Sequence, residues 1–124
     1  MCNIFISGAT GKVGRILIEA ILEDVDLKLA GGSASKESKY LGKDLGALIG
    51  RSNINIKILE GISNEKDIDL IIDFSRPQNS IQVLRFARKE NIPMLIGTTG
   101  FNEDELTEIN DISKEIPLLI APNT

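Results

Sequence analysis

Three glycines spaced three apart, Gly8, Gly11 and Gly14, follow the apolar run Ile4-Phe5-Ile6 and open a segment of helical period. A turn that carries a phosphate between a strand and a helix needs glycine for three reasons. It must adopt dihedrals closed to other residues, let backbone N–H groups approach the anion, and let the helix pack closely on the strand. Gly8, Gly11 and Gly14 can divide those tasks. The helix that follows presents its positive N-terminal end to a pyrophosphate, and Lys12 and Arg15 add charge at the same place. The spacing is G-x-x-G-x-x-G, with Thr10 where the common dinucleotide fingerprint has its second glycine. Taken alone, the loop also reads as a tight strand-to-helix turn with no ligand.

Three further stretches place polar residues after apolar runs: "DFSRP" (73–77), "GTTGF" (97–101) and "APNT" (121–124). Each has a structural explanation by itself. An Asp at a strand end caps the next helix, Gly-Thr-Thr-Gly makes a plain turn, and Pro stops a strand. Other chemistry is excluded by composition. The chain has no histidine and one cysteine, Cys2, so neither a disulfide framework nor a Cys/His metal site is expected. A formal net charge of −4 argues against a nucleic-acid partner, which normally requires a basic face. The apolar runs are strand-sized and the N-terminus lacks a signal-peptide pattern, so a cytoplasmic protein with no membrane partner is expected.

The elements that must position these motifs follow from periodicity. With 124 residues, 42% hydrophobic and 26% charged, the chain suits one globular domain over 1–124, and no repeat or shift in composition marks a second. Short runs rich in Ile, Leu and Val alternate with helical segments, the pattern of βαβ units and a parallel sheet. Strands are predicted at 3–7, 27–30, 56–59, 69–74, 94–97 and 118–121. The first helix is assigned a buried stripe of Val13, Ile16, Leu17, Ala20 and Ile21. A second helix follows Pro77 with Ile81, Leu84 and Ala87 inward. A third follows Asn102, which pairs with Glu105 in a capping-box pattern ahead of Leu106, Ile109 and Ile112. The segment from Gly31 to Asn55 is dominated first by Gly, Ser and Lys, with a short helix possible over 44–49. The fold class is α/β, a Rossmann-type doubly wound parallel sheet, whose ligand crevice lies at the carboxyl ends of the strands, where all four motifs fall.

The glycine loop alone resembles that of the atypical short-chain dehydrogenases and of related redox-sensing regulators equally well. In order and separation, however, "ISGATGKVGR", "LGKDLGALIG", "IIDFSRP", "MLIGTTGF" and "IAPNT" resemble the nucleotide-binding half of the dihydrodipicolinate reductase family of lysine biosynthesis, over the whole chain. The resemblance implies NADPH or NADH as cofactor. Gly8, Ala9, Thr10, Gly11, Lys12 and Val13 would cradle the pyrophosphate. Gly97, Thr98 and Thr99 would line the nicotinamide side, and Ala121, Pro122, Asn123 and Thr124 would close over the ring. It implies a small dicarboxylate substrate and a homotetrameric full-length protein. The family's proton-donating histidine, its lysine and most substrate contacts would lie in a C-terminal domain beyond "APNT", so no catalytic residue and no metal ligand is expected in this chain.

One departure from the family bears on the cofactor. Many members carry an acidic residue at the end of the second strand to grip the ribose hydroxyls, and the alignment there falls on Gly32 and Ser33. A missing carboxylate removes an acceptor for the 2′-hydroxyl and also removes repulsion against a 2′-phosphate. Ser33, Ser35, Lys36 and Lys39 are then candidates for that phosphate, the alternative being a solvated loop. A short-chain reductase would show Tyr-x-x-x-Lys, whereas Tyr40 is followed four positions later by Asp44. A nucleotide-sensing regulatory domain is the other rival.

Overall fold

In a computed structural model, described here for residues 1–62 and 67–121, six strands form one parallel sheet flanked by helices on both faces. In chain order the elements are β1 (Cys2–Ser7), α1 (Lys12–Glu23), β2 (Leu27–Ala34), a 3-10 helix (Leu45–Ile49), β3 (Ile58–Glu60), β4 (Leu70–Asp73), α2 (Pro77–Glu90), β5 (Met94–Ile96), α3 (Glu103–Ile112) and β6 (Leu118–Ile120). The strand order is β3-β2-β1-β4-β5-β6. The chain thus builds outward from β1 to β3, then returns to lay β4 on the other side of β1.

Side-chain alternation along β1 divides the core between the two faces. Ile4 and Ile6 pack with Ile18 and Ile21 of α1, Leu29, Leu45, Leu48 and Ile58. Phe5, between them, joins Ile71, Met94, Ile96 and the inner faces of α2 and α3 on the opposite side. Strands covered on both faces read as nearly continuous apolar runs, as "NIFIS" and "LIID" do. None of the described helices is long and apolar enough to cross a membrane.

Three elements differ from the sequence expectation. On α1 the buried residues are Gly14, Ile18 and Ile21, while Val13, Ala20 and Ile16 (60% exposed) face outward. Gly14 sets this rotation: a Cβ there would collide with the Gly8 and Ala9 carbonyls, so the helix seats its glycine against the loop. Similarly, Leu106 of α3 is exposed while Ile109 and Ile112 are buried. The second strand runs past Ala30 to Ala34, through two glycines that propensity places in a loop. A register shift against β1 lets it continue, and Gly31 and Gly32 are accommodated where side chains would press on the Phe5 ring and on Leu45.

Candidate functional site

β1 and β4 lie side by side, yet β1 feeds α1 on one face and β4 feeds α2 on the other. The loops beyond them diverge and leave a cleft of about 350 Å³ lined by Gly8, Thr10, Gly11, Ala34, Ser35, Phe74, Ser75, Arg76 and Asn79. This is the switch point of the sheet, where doubly wound folds bind ligands.

The glycine loop is held from below. The Ser33 carbonyl accepts from the N–H groups of both Gly8 (3.2 Å) and Ala9 (2.9 Å), and the Ala9 side chain is buried in the core. Gly8 has φ +82°, and its α-carbon abuts the Phe74 carbonyl where no Cβ fits. Its N–H and that of Ala9 therefore serve the fold. Gly11 is different: it is exposed, has φ −74°, and a Cβ on it would stand 3.6 Å from the nearest atom, ordinary contact. The fold places no demand for glycine there. Gly11 caps α1 without a side-chain hydrogen bond, which leaves the first-turn donors of Lys12 and Val13 without a side-chain acceptor. Lys12 and Val13 stand exposed at the rim rather than in the cleft lining. Arg15 braces the loop, donating to the Thr10 carbonyl (3.0 Å) and the Leu48 carbonyl (3.5 Å).

α2 begins in the same cleft in the same manner. Arg76 is its N-cap, with no side-chain cap and no acidic residue in the first turn. The helix that starts away from the cleft is built otherwise. α3 has the full capping box of Asn102 and Glu105 and three acidic residues in its first turn, and the 3-10 helix is capped by Asp44. Two positive helix ends left open toward one cleft, with Arg76 between them, make a place for an anion.

The lip toward β2 corrects the alignment given above. Gly32 and Ser33 lie within β2, and Ser33 is 1% exposed, so its part is to anchor the glycine loop. The residues that end the strand beside the cleft are Ala34 and Ser35. Beyond them a contiguous hollow of about 650 Å³ includes Lys36, Glu37, Glu60, Arg76 and Gln82. Lys39 is not among its walls: its ammonium stands 5.3 Å from the centre of the Tyr40 ring, which Arg15 and Lys43 also approach. The Arg15 guanidinium, followed by the lysines, holds the Tyr40 hydroxyl below the usual phenol range.

On the far side of the switch point Gly97 lies flat under the Phe74 ring, which fills the space a Cβ would need. Thr98 is buried with its hydroxyl on Asp73, and Thr99 is exposed. Ala121 is half-buried at the end of β6, whereas Pro122, Asn123 and Thr124 lie outside the described residues. Sequence reasoning placed Ser75 and Arg76 at the crevice only within "DFSRP", naming neither as a binding residue, and did not name Asn79. The signal available for Arg76 was a basic residue between a strand end and a helix-opening proline. No group of potential metal ligands occurs among the described residues.

The family model for the N-terminus of dihydrodipicolinate reductase matches residues 2–124. The chain belongs to this family. It is 32% identical to the 4-hydroxy-tetrahydrodipicolinate reductase of Hahella chejuensis, over 99% of this chain and 46% of that protein. It is 40% identical to that of Dechloromonas aromatica, over 98% and 45%. The chain thus spans about half the length of the curated relatives it matches. Among solved structures, a dipicolinate-bound dihydrodipicolinate reductase from Paenisporosarcina sp. TG-14 superposes with a TM-score of 0.72 at 18% identity, over 99% of this chain and 48% of that one. An aspartate semialdehyde dehydrogenase with NADP from Candida albicans gives 0.69 at 13%, over 99% and 43%. These two likenesses establish the doubly wound fold.

Proposed function

We propose that the chain is the cofactor-binding half of an NAD(P)H-dependent 4-hydroxy-tetrahydrodipicolinate reductase, acting in the cytoplasm in lysine biosynthesis. The substrate is a small cyclic dicarboxylate, and the relatives' second half supplies the proton donor, the substrate contacts and the homotetrameric assembly. The nicotinamide, when bound, supplies a hydride to the substrate. The residues of this chain bind and orient it. The open ends of α1 and α2 and the Arg76 guanidinium take the pyrophosphate, the hollow beyond Ser35 takes the adenosine, and the β4–β5–β6 half takes the nicotinamide side, with Thr99 facing it and Ala121 to Thr124 closing over it.

The observation that carries this reading is Gly11, a glycine the fold does not require, at the uncapped start of α1 and facing the cleft. Its bare backbone fits a ligand that must come close. Gly11→Val should fill that space and reduce NADH and NADPH affinity by about tenfold or more, measured by calorimetry, with little change in the thermal midpoint. Unchanged affinity would remove the loop from the site.

We infer further that NADPH is preferred. Ala34 offers no carboxylate to the 2′ position, and Ser35 and Lys36 are at hand, with Glu37 and Glu60 in the same hollow. A charged hydrogen bond contributes about 1.5 to 3 kcal/mol, enough for roughly tenfold discrimination. Equal affinities for the two cofactors, both indifferent to Lys36→Ala, would count decisively against this preference.

A further inference from the structure

Asp73 ends β4 with its carboxylate completely buried, and among the described residues no lysine or arginine pairs with it. A buried carboxylate is costly unless hydrogen-bonded. Here three hydroxyls donate to it: Ser75 Oγ at 2.6 Å, Thr98 Oγ1 at 2.8 Å, and Ser80 Oγ in a short contact. Those hydroxyls come from three different places, the loop after β4, the loop after β5 and the first turns of α2. Thr98 Oγ1 also accepts the backbone N–H of Ser75 at 3.0 Å, so the two loops are tied to each other as well as to the carboxylate. Asn79 extends the network to β1, donating to Ser75 Oγ (2.8 Å) and Ser7 Oγ (3.0 Å). No buried side-chain polar atom among the described residues lacks a partner. A fully satisfied network of this kind rigidifies what it joins.

Consecutive residues of the extended loop after β5 point opposite ways. Thr98 turns inward and spends its hydroxyl on the network, which leaves Thr99 exposed on the open side. We propose that Asp73 and Thr98 are positioning residues for the nicotinamide end of the cofactor: Thr98 contacts no ligand, and its clasp on Asp73 holds Thr99 and its neighbours where the nicotinamide ring comes to lie. This rests on the cofactor reading above. The adenosine half lies toward β2 and β3; Ser75 and Asn79 carry the network to the cleft and to β1, but Asp73, Thr98 and Ser80 line neither the cleft nor the hollow beyond it.

Affinity for NADH and for ADP-ribose, which lacks only the nicotinamide ring, separates contacts to the ring from contacts to the rest of the cofactor. In the full chain, wild type should bind NADH about tenfold more tightly than ADP-ribose. Thr98→Val, isosteric but without the hydroxyl, should bring NADH affinity down to that of ADP-ribose while ADP-ribose affinity stays as it was. Thr98→Ser should restore the difference. Ser80→Ala, which removes one donor to Asp73 at a position away from the cleft, should produce a smaller loss with the same selectivity, and it reports on the proposal if Thr98→Val does not fold. Equal loss of both ligands in the folded variants, no loss of either, or failure of Thr98→Ser to rescue overturns the proposal. A wild-type chain that binds neither ligand overturns the cofactor reading itself, and this proposal with it.

Discussion

Gly11 and Gly97 are glycines for opposite reasons. Gly97 is demanded by the fold, because the Phe74 ring occupies the position of its missing side chain. Gly97→Ala should therefore cost about 1 to 3 kcal/mol by overpacking, visible as a lowered thermal midpoint. Gly11→Ala should cost no more than a few tenths of that, because its φ is ordinary and the space is open. Arg76 makes the complementary case. It lines the cleft, and it is exposed. Arg76→Ala should leave stability unchanged and weaken NAD(P)H binding about tenfold by calorimetry, the loss of one charged contact. The motifs containing these residues were legible from their types and spacing alone. The division of labour within each motif was not, since spacing cannot say that Thr98 turns inward while Thr99 stays out, or that the Gly8 and Ala9 donors are taken by Ser33.

At the level of elements, the sequence pattern located every strand and all three long helices, and where it erred a tertiary contact outweighed a local preference. The apolar stripe of α1 was read from Val13, Ile16, Leu17, Ala20 and Ile21, yet the close seat of Gly14 on the Gly8 and Ala9 carbonyls turns Val13, Ile16 and Ala20 outward. In the same way β2 extends through Gly31-Gly32-Ser33 because β1 and β3 pair with it on either side. The segment between β2 and β3 is organised by Asp44. Its carboxylate accepts from the backbone N–H groups of Gly46 (2.9 Å), Ile54 (2.9 Å) and Ile56 (3.0 Å). Desolvation pushes its pKa upward, but these backbone donors, with that of Asn55, together outweigh it and hold the carboxyl below the usual aspartate range. Because the folded value is depressed, the stabilisation is present above the ordinary aspartate pKa and is lost as pH falls through the folded value. Asp44→Ala should lower stability by about 2 kcal/mol at neutral pH, and the gap between the two thermal midpoints should close as pH drops below about 4.

Taken whole, the molecule joins two halves, β1 to β3 with α1 on one side and β4 to β6 with α2 and α3 on the other, along the seam between β1 and β4. The chain holds no histidine, and the motifs at 97–101 and 121–124, which we propose for the nicotinamide side, contain no lysine. It should accordingly bind NAD(P)H yet show no turnover when NAD(P)H absorbance is followed with freshly generated substrate. A positioned general acid typically contributes ~100-fold to 10,000-fold, and robust turnover by these 124 residues would place the chemistry elsewhere than we do.

The seam has a consequence for how the protein reaches its working state. Each half can collapse around contacts close in sequence, but the hydrogen bond from the Asn3 N–H to the Asp69 carboxylate joins residues 66 apart, and the one from Asn79 to Ser7 joins residues 72 apart. Closing chains of that length and pairing parallel strands are slow steps in folding. The cleft belongs to neither half and exists only when the seam has closed. In a refolding experiment, helical circular dichroism should therefore recover ahead of NADH fluorescence enhancement, and the lag between the two signals would time the closure of β1 against β4.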